Sequence, residues 1–228
     1  MKNALVIAAH PDDEVLGCGG TIARMADDGW NVSVLILAEG ATSRAAQRDR
    51  NDHVEELSAL EQCARQAGVI LGAKDVQLDR FPDNRMDSVD LLDVVKRIEA
   101  AVQSAQPYRV LTHHAGDVNI DHTVIHQAVA AACRPLPGSC VKEVLYFEVA
   151  SSTEWRHTSS IAPFAPNLFV DISSTLDRKL RALMAYASEI RAFPHARSLE
   201  ALEHLARWRG ATVGCFAAEA FEIGRRVE

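Results

Sequence analysis

The chain has 228 residues, 48% of them hydrophobic and 24% charged, with 24 Lys and Arg against 31 Asp and Glu for a formal net charge of −7. That length suits one ordinary domain with a sizeable core, and the balance excludes long disorder, collagen-like repeats and disulfide-rich miniproteins. An acidic chain without a long basic run is a poor binder of the nucleic-acid phosphate backbone, and no apolar stretch reaches the ~20 residues of a membrane span. The apolar start is too brief for a signal peptide. Five scattered cysteines without CxxC spacing read as reduced thiols in a cytoplasmic protein.

In chain order, Ala4–Ala9 is a short apolar run, the mark of a buried strand. Gly19–Asp28 reads as a helix with Ile22, Met25 and Ala26 on one face, and Asn31–Ala38 as a second buried strand. Asn51–Gly68 is helical, with Gly68 as its expected end, and Lys74–Leu78 is a short strand. Val89–Ser104 is an amphipathic helix, Tyr108–Thr112 a buried strand and Asp121–Cys133 a helix with Asp121 as its expected N-cap. Val141–Val149 and Asn167–Ile172 read as strands, and helical spacing returns at Leu176–Ala187 and Leu199–Leu205. Trp30 and Trp208 read as packing residues. Alternating strands and helices imply an α/β fold with a mainly parallel sheet and right-handed crossovers. Residues 1–228 form one domain in this reading, with 151–228 as a C-terminal extension on the substrate side and 151–166 as a surface or active-site loop.

The first strand ends in His10-Pro11-Asp12-Asp13-Glu14. Ligands bind at the carboxyl ends of strands in such sheets, and a histidine packed with three acids there calls for a compensating cation. Imidazole plus carboxylate is a common catalytic zinc set with a position left for water. Neighbouring Asp12 and Asp13 cannot easily point the same way, so one ligates and the other faces the water as a base. His113-His114-Ala115-Gly116-Asp117-Val118-Asn119-Ile120-Asp121-His122 follows the strand Tyr108–Thr112 and reaches the same sheet edge. His122 and His126 share a helix face, with His126 the more buried or supporting of the two.

The run AAHPDDEVLGCGGTIA resembles the opening signature of the PIG-L / LmbE-like deacetylases, and HHAGDVNIDHTVIHQAV resembles that family's second motif. The resemblance implies a Rossmann-like three-layer sandwich, removal of acetyl groups from acetamido sugars, a Zn²⁺ cofactor and self-association into a homo-oligomer. Another divalent transition metal also suits the ligand set. By position, His10, Asp13 and His122 resemble the metal ligands and Asp12 the general base. Many members carry histidine where this chain has Asn119, and an amide donates a hydrogen bond to an oxyanion but is no acid at neutral pH. Either Asn119 only stabilises, or another histidine supplies the proton, with His195 as the candidate. Asp121 then buttresses either Asn119 or His122. The implied chemistry is hydrolytic: zinc lowers the pKa of its water from about 15.7 to roughly 7, and Asp12 takes the proton as the water attacks the amide.

Arg44, Asp117 and Trp155 are the expected substrate contacts: a loop arginine at the same edge, an acceptor for a sugar hydroxyl and an aromatic platform. Two rival readings stand beside this one. Gly17-Cys18-Gly19-Gly20 with Glu39 partly matches the NAD(P)-binding fingerprint of an oxidoreductase, although four acids or metal ligands beside a pyrophosphate would repel it. A non-catalytic metal-binding protein is the other, and a spare base at Asp12 argues against it.

Overall fold

In the computed structural model, residues 2–44, 47–157 and 162–228 are described, without the side chain of Arg44. Among them, β1 (Asn3–Ala8), β2 (Asn31–Ala38), β3 (Asp75–Phe81), β4 (Arg109–His113), β5 (Glu143–Phe147), β6 (Leu168–Asp171) and β7 (Ala218–Arg226) make one sheet in the order β3-β2-β1-β4-β5-β7-β6. β1 to β5 run parallel, and β7 is antiparallel to both β5 and β6. The helices are α1 (Asp13–Asp27), α2 (Val54–Leu71), α3 (Leu91–Ala105), α4 (Ile120–Ala132), α5 (Leu176–Ala185) and α6 (Leu199–Ala211).

The apolar runs of β1 and β2 are buried on both faces because helices cover both sides. Alternate residues sort into two cores: Val6, Ala8, Val34 and Ile36 pack with Ile22, Ala64, Leu71 and Leu183 on one side. Leu5, Ile7, Leu35 and Leu37 pack with Val94, Ile98, Ile125 and Val129 on the other. This is the expected three-layer arrangement around a mainly parallel sheet. β1 pairs with β2 on one side and β4 on the other, so the chain order reverses between β1 and β4. That switch point opens the crevice in which open α/β sheets bind ligands. Among the described residues, no helix is long and apolar enough to cross a membrane.

Several element limits differ from the sequence expectation for local reasons. α1 starts at Asp13, six residues before Gly19, and Cys18 breaks it with φ −149° and ψ 24°. The second half of α1 therefore has its own N-terminus, and the Glu219 carboxylate accepts from Gly20 N (2.9 Å) and Thr21 N (2.7 Å) there. Buried Lys179 donates to the same carboxylate at 2.6 Å. α2 runs past Gly68 to Gly72, whose φ of 79° ends it. Gly68 is needed for close approach instead, since a Cβ there would lie 2.4 Å from Val76. The N-cap of α4 is Asn119 rather than Asp121: its side chain accepts from Asp121 N at 2.9 Å. β7 was not expected as a strand at all. Trp30 is half-buried against Tyr108, whereas Trp208 is 66% exposed and packs no core.

Candidate active site

β1 delivers His10 and Pro11 to the crevice, and Asp12 turns the chain into α1. Asp12 has φ 116°, a conformation that side chains rarely adopt and that costs on the order of 1–3 kcal/mol unless its surroundings impose it. They do: its carbonyl accepts from Val15 N (3.0 Å) and Leu16 N (2.9 Å), and its N–H donates to Glu14 Oε2 (3.1 Å). The turn sends neighbouring carboxylates apart. Asp13 Oδ2 lies 3.2 Å from His10 Nδ1 and 3.1 Å from His122 Nε2, and accepts from the His10 N–H at 2.9 Å. Asp12 Oδ2 instead meets Arg197 Nη1 at 3.1 Å.

His10, Asp13 and His122 each offer a ligand atom within 4.8 Å of the others, the three-residue set of a catalytic metal site. The donor set fits a divalent ion on its own terms. Both ring nitrogens of buried His122 lack an aligned hydrogen bond, although each lies 3.0–3.1 Å from a carboxylate oxygen. Burial alone would lower the His122 pKa, but Asp13 and Asp117 push it up to about 9. Carboxylates here thus draw positive charge onto the ligand side chains, and a cation would supply it directly.

Both histidine ligands are held from behind. Asp117, fully buried, lies 3.0 Å from His122 Nδ1 and accepts from Thr153 Oγ1 (2.7 Å), Asn119 N (2.8 Å) and Ser152 Oγ. The sequence offered it to a sugar hydroxyl; the structure spends its oxygens inside the protein. Asp121 faces His10 Nε2 at 3.0 Å and accepts from Asn84 N (2.7 Å) and Met86 N (2.9 Å). Its carboxylate therefore orients His10 rather than His122, while its backbone N–H holds the Asn119 side chain. Asp83, from the loop after β3, lies 3.2 Å from His10 Nε2, and despite burial its pKa falls to about 2 through His10 and Ser43. Two carboxylates on one ring nitrogen fix His10 with Nδ1 turned to Asp13. His113 is buried and stacks on His122, ring centroids 3.8 Å apart. Its Nε2 accepts from Ala9 N at 2.9 Å, and burial with the His122 charge keeps it neutral. His126 meets the His113 carbonyl and the Tyr146 ring.

The remaining expected residues scatter. Asn119 lines the cavity, yet its Oδ1 caps α4 and its Nδ2 donates to Asn84 Oδ1 (2.9 Å), leaving one amide hydrogen. Trp155 is 52% exposed at the cavity wall. His195 is not among the lining residues: its Nδ1 accepts from Arg197 N (3.0 Å) and its ring meets the edge of Trp155. The Arg44 side chain lies outside the described residues. Asp83, Ser151, Glu189 and Arg197, none singled out by the sequence, join His10, Asp12, Asp13 and His122 around a cavity of about 340 Å³.

The glycines of the oxidoreductase reading serve packing. A Cβ on Gly17 would lie 2.3 Å from Phe147, and one on Gly20 2.7 Å from Ile172. The helix N-terminus where a pyrophosphate would sit already holds Glu219, and Glu39, offered to a ribose, is held by Arg48, Arg50 and Thr42.

Glu14 supports the turn from below and carries a pH signature. Burial raises its pKa from 4.5 to about 7, although the Tyr186 hydroxyl donates to it at 2.6 Å. A carboxyl with a raised folded-state pKa stabilises fully below the unfolded value and loses that contribution as pH rises through the folded one. In the metal-stripped protein, stability should fall by about 3 kcal/mol at most between pH 4.5 and 7 through this group. Glu14→Gln should remove that slope in denaturant melts. Parallel pH curves for the two proteins would contradict the assignment.

Comparison with known proteins adds three findings. A family model described as PIG-L: GlcNAc-PI de-N-acetylase matches residues 5–133. Two relatives cover most of the chain: a probable N-acetyl-alpha-D-glucosaminyl L-malate deacetylase 2 of Bacillus cereus (28% identical, 84% of this chain and 85% of that protein) and a 4-oxalmesaconate hydratase of Pseudomonas putida (30% identical, 82% and 74%). The solved structure of a conserved protein from Thermus thermophilus superposes with a TM-score of 0.77 at 25% identity, covering 100% of this chain and 97% of that one.

Proposed function

We propose that this chain, which belongs to the PIG-L family, is a metal-dependent hydrolase that removes the N-acetyl group of an acetamido sugar. The observation that carries the reading is the division of labour at the turn: Asp13 joins His10 and His122, while Asp12, buried in the same cavity wall, stands apart from them. A purely structural metal site has no use for the second carboxylate.

Zinc is the ion we assign to His10, Asp13 and His122; it supplies Lewis acidity and a water of lowered pKa. Asp12 accepts the proton of the water that attacks the amide carbon. Asn119 turns its one spare amide hydrogen toward the developing oxyanion. His195 does not line the cavity, so the proton returns to the leaving amine from Asp12. Trp155 offers its exposed face to the sugar ring. On the family resemblance the sugar is a nucleotide-linked or glycoconjugate precursor and the protein self-associates, and on its scattered free cysteines we place the enzyme in the cytoplasm.

Acetate and free amine are to be measured across free, nucleotide-linked and lipid-linked acetamido sugars, with and without chelator. An unsaturated tricarboxylic keto acid runs in parallel, because one relative is a 4-oxalmesaconate hydratase. Chelator-sensitive acetate in step with new amine is the expected result. Hydration of the carbon–carbon double bond without acetate from any sugar would transfer the chain to that other chemistry.

A further inference from the structure

We propose that Arg197 is a positioning residue for the Asp12 carboxylate, with Ser151 holding its guanidinium in place; this rests on Asp12 being the base. Arg197 reaches the cavity from the loop between α5 and α6, 185 residues from Asp12 in sequence. Its Nη1 donates to Asp12 Oδ2 at 3.1 Å and its Nε to Ser151 Oγ at 3.0 Å. Two directed bonds from one planar group fix that plane. The loop beneath is fixed too: Arg197 N donates to His195 Nδ1, Arg191 N donates to the Arg197 carbonyl at 3.3 Å, and Ser198 caps α6 through Ala201 N at 3.0 Å.

The backbone bonds at Asp12 set where its side chain begins but not its rotation about Cα–Cβ. A buried carboxylate turns to the donors and positive charge nearest it, as Asp13 turns to His10 and His122. Arg197 offers Asp12 a positive charge of its own, 3.1 Å from Oδ2, in a wall that also carries Asp83 and Glu189. It engages Oδ2, so the proton of the reacting water is taken at Oδ1. His195 Nδ1 accepts from the Arg197 backbone N–H, so the histidine fixes the loop from which the guanidinium extends.

A kinetic double-mutant cycle tests this. Arg197→Ala should lower kcat roughly 10²-fold, the cost of an ångström-scale misplacement of a reacting group, with KM within about threefold and metal content unchanged. Added guanidinium should restore part of the rate. Arg197→Lys should recover little, because one ammonium cannot bond Asp12 and Ser151 in the same fork. In the Asp12→Asn background, Arg197→Ala should cost nothing further. An equal loss in both backgrounds, a change in KM alone or an unchanged kcat would overturn the proposal. Full turnover by Asp12→Asn itself would instead refute Asp12 as base, a failure visible before Arg197 is touched.

Discussion

Asp12→Asn should lower acetate release by about 10³-fold while the protein keeps its metal and its fold. Asparagine is the informative replacement because it tolerates the left-handed backbone at φ 116° and preserves the size of the side chain. It still accepts a hydrogen bond from Arg197 but takes no proton. The metal should stay, since Asp12 contacts none of His10, Asp13 and His122 through the bonds that hold them. The pH profile follows with a definite sign. Burial, reinforced by Asp13, Glu14 and Glu189, raises the Asp12 pKa well above the ordinary 3.8, against the pull of Arg197. Activity should therefore be lost on the acid side, where Asp12 already carries a proton and can take none from the attacking water. Turnover within about threefold of the natural chain, by a variant of equal metal content, would remove Asp12 from the mechanism.

Asp13→Ala and His122→Ala should abolish turnover by the other route, through loss of the ion. Asp13 Oδ2 is the atom at which His10 and His122 converge, so its removal leaves two imidazoles without a shared anionic partner. Metal analysis should find both variants empty after dialysis, with acetate release at background. Asp121→Asn should be milder, weakening metal affinity about 10–100-fold, because it acts by orienting His10. Circular dichroism separates metal loss from unfolding. Retention of one ion per chain by Asp13→Ala would place the metal elsewhere. The two sets of variants thus pull apart what the sequence shows only as adjacent acids.

Strands β1, β2 and β4 were legible because short Val- and Ile-rich runs have few alternatives to a buried strand. The position of the site followed from them, since HPDDE and the His113–His122 run sit at the ends of strands that pair. The start of α1 was hidden by its content: Asp13 and Glu14 followed by glycines read as a loop, and the break at Cys18 is set by Glu219, a residue from the far end of the chain. β7 was hidden because Ala218, Glu219, Ala220, Glu222 and Gly224 are residue types depleted in strands, and its last two residues are arginines. Asp117 was visible as a polar residue at the right edge, but its direction depends on Ser152 and Thr153, more than thirty residues away. Arg197 and Asp83 carry no local signature. They line the cavity from the loops after β3 and between α5 and α6, and the sequence reading singled out His195 in the loop that carries Arg197.

The most direct test of metal-dependent hydrolysis at this site is a titration. The chain is stripped of metal, and zinc is added back in fractions of an equivalent while acetate release from a responsive acetamido sugar is followed alongside bound metal. The predicted curve rises in proportion to bound zinc, levels at one ion per chain, and is flat for Asp13→Ala. Full acetate release by the stripped protein, or release that ignores the bound ion, would contradict the assignment of His10, Asp13 and His122 as the centre of the chemistry.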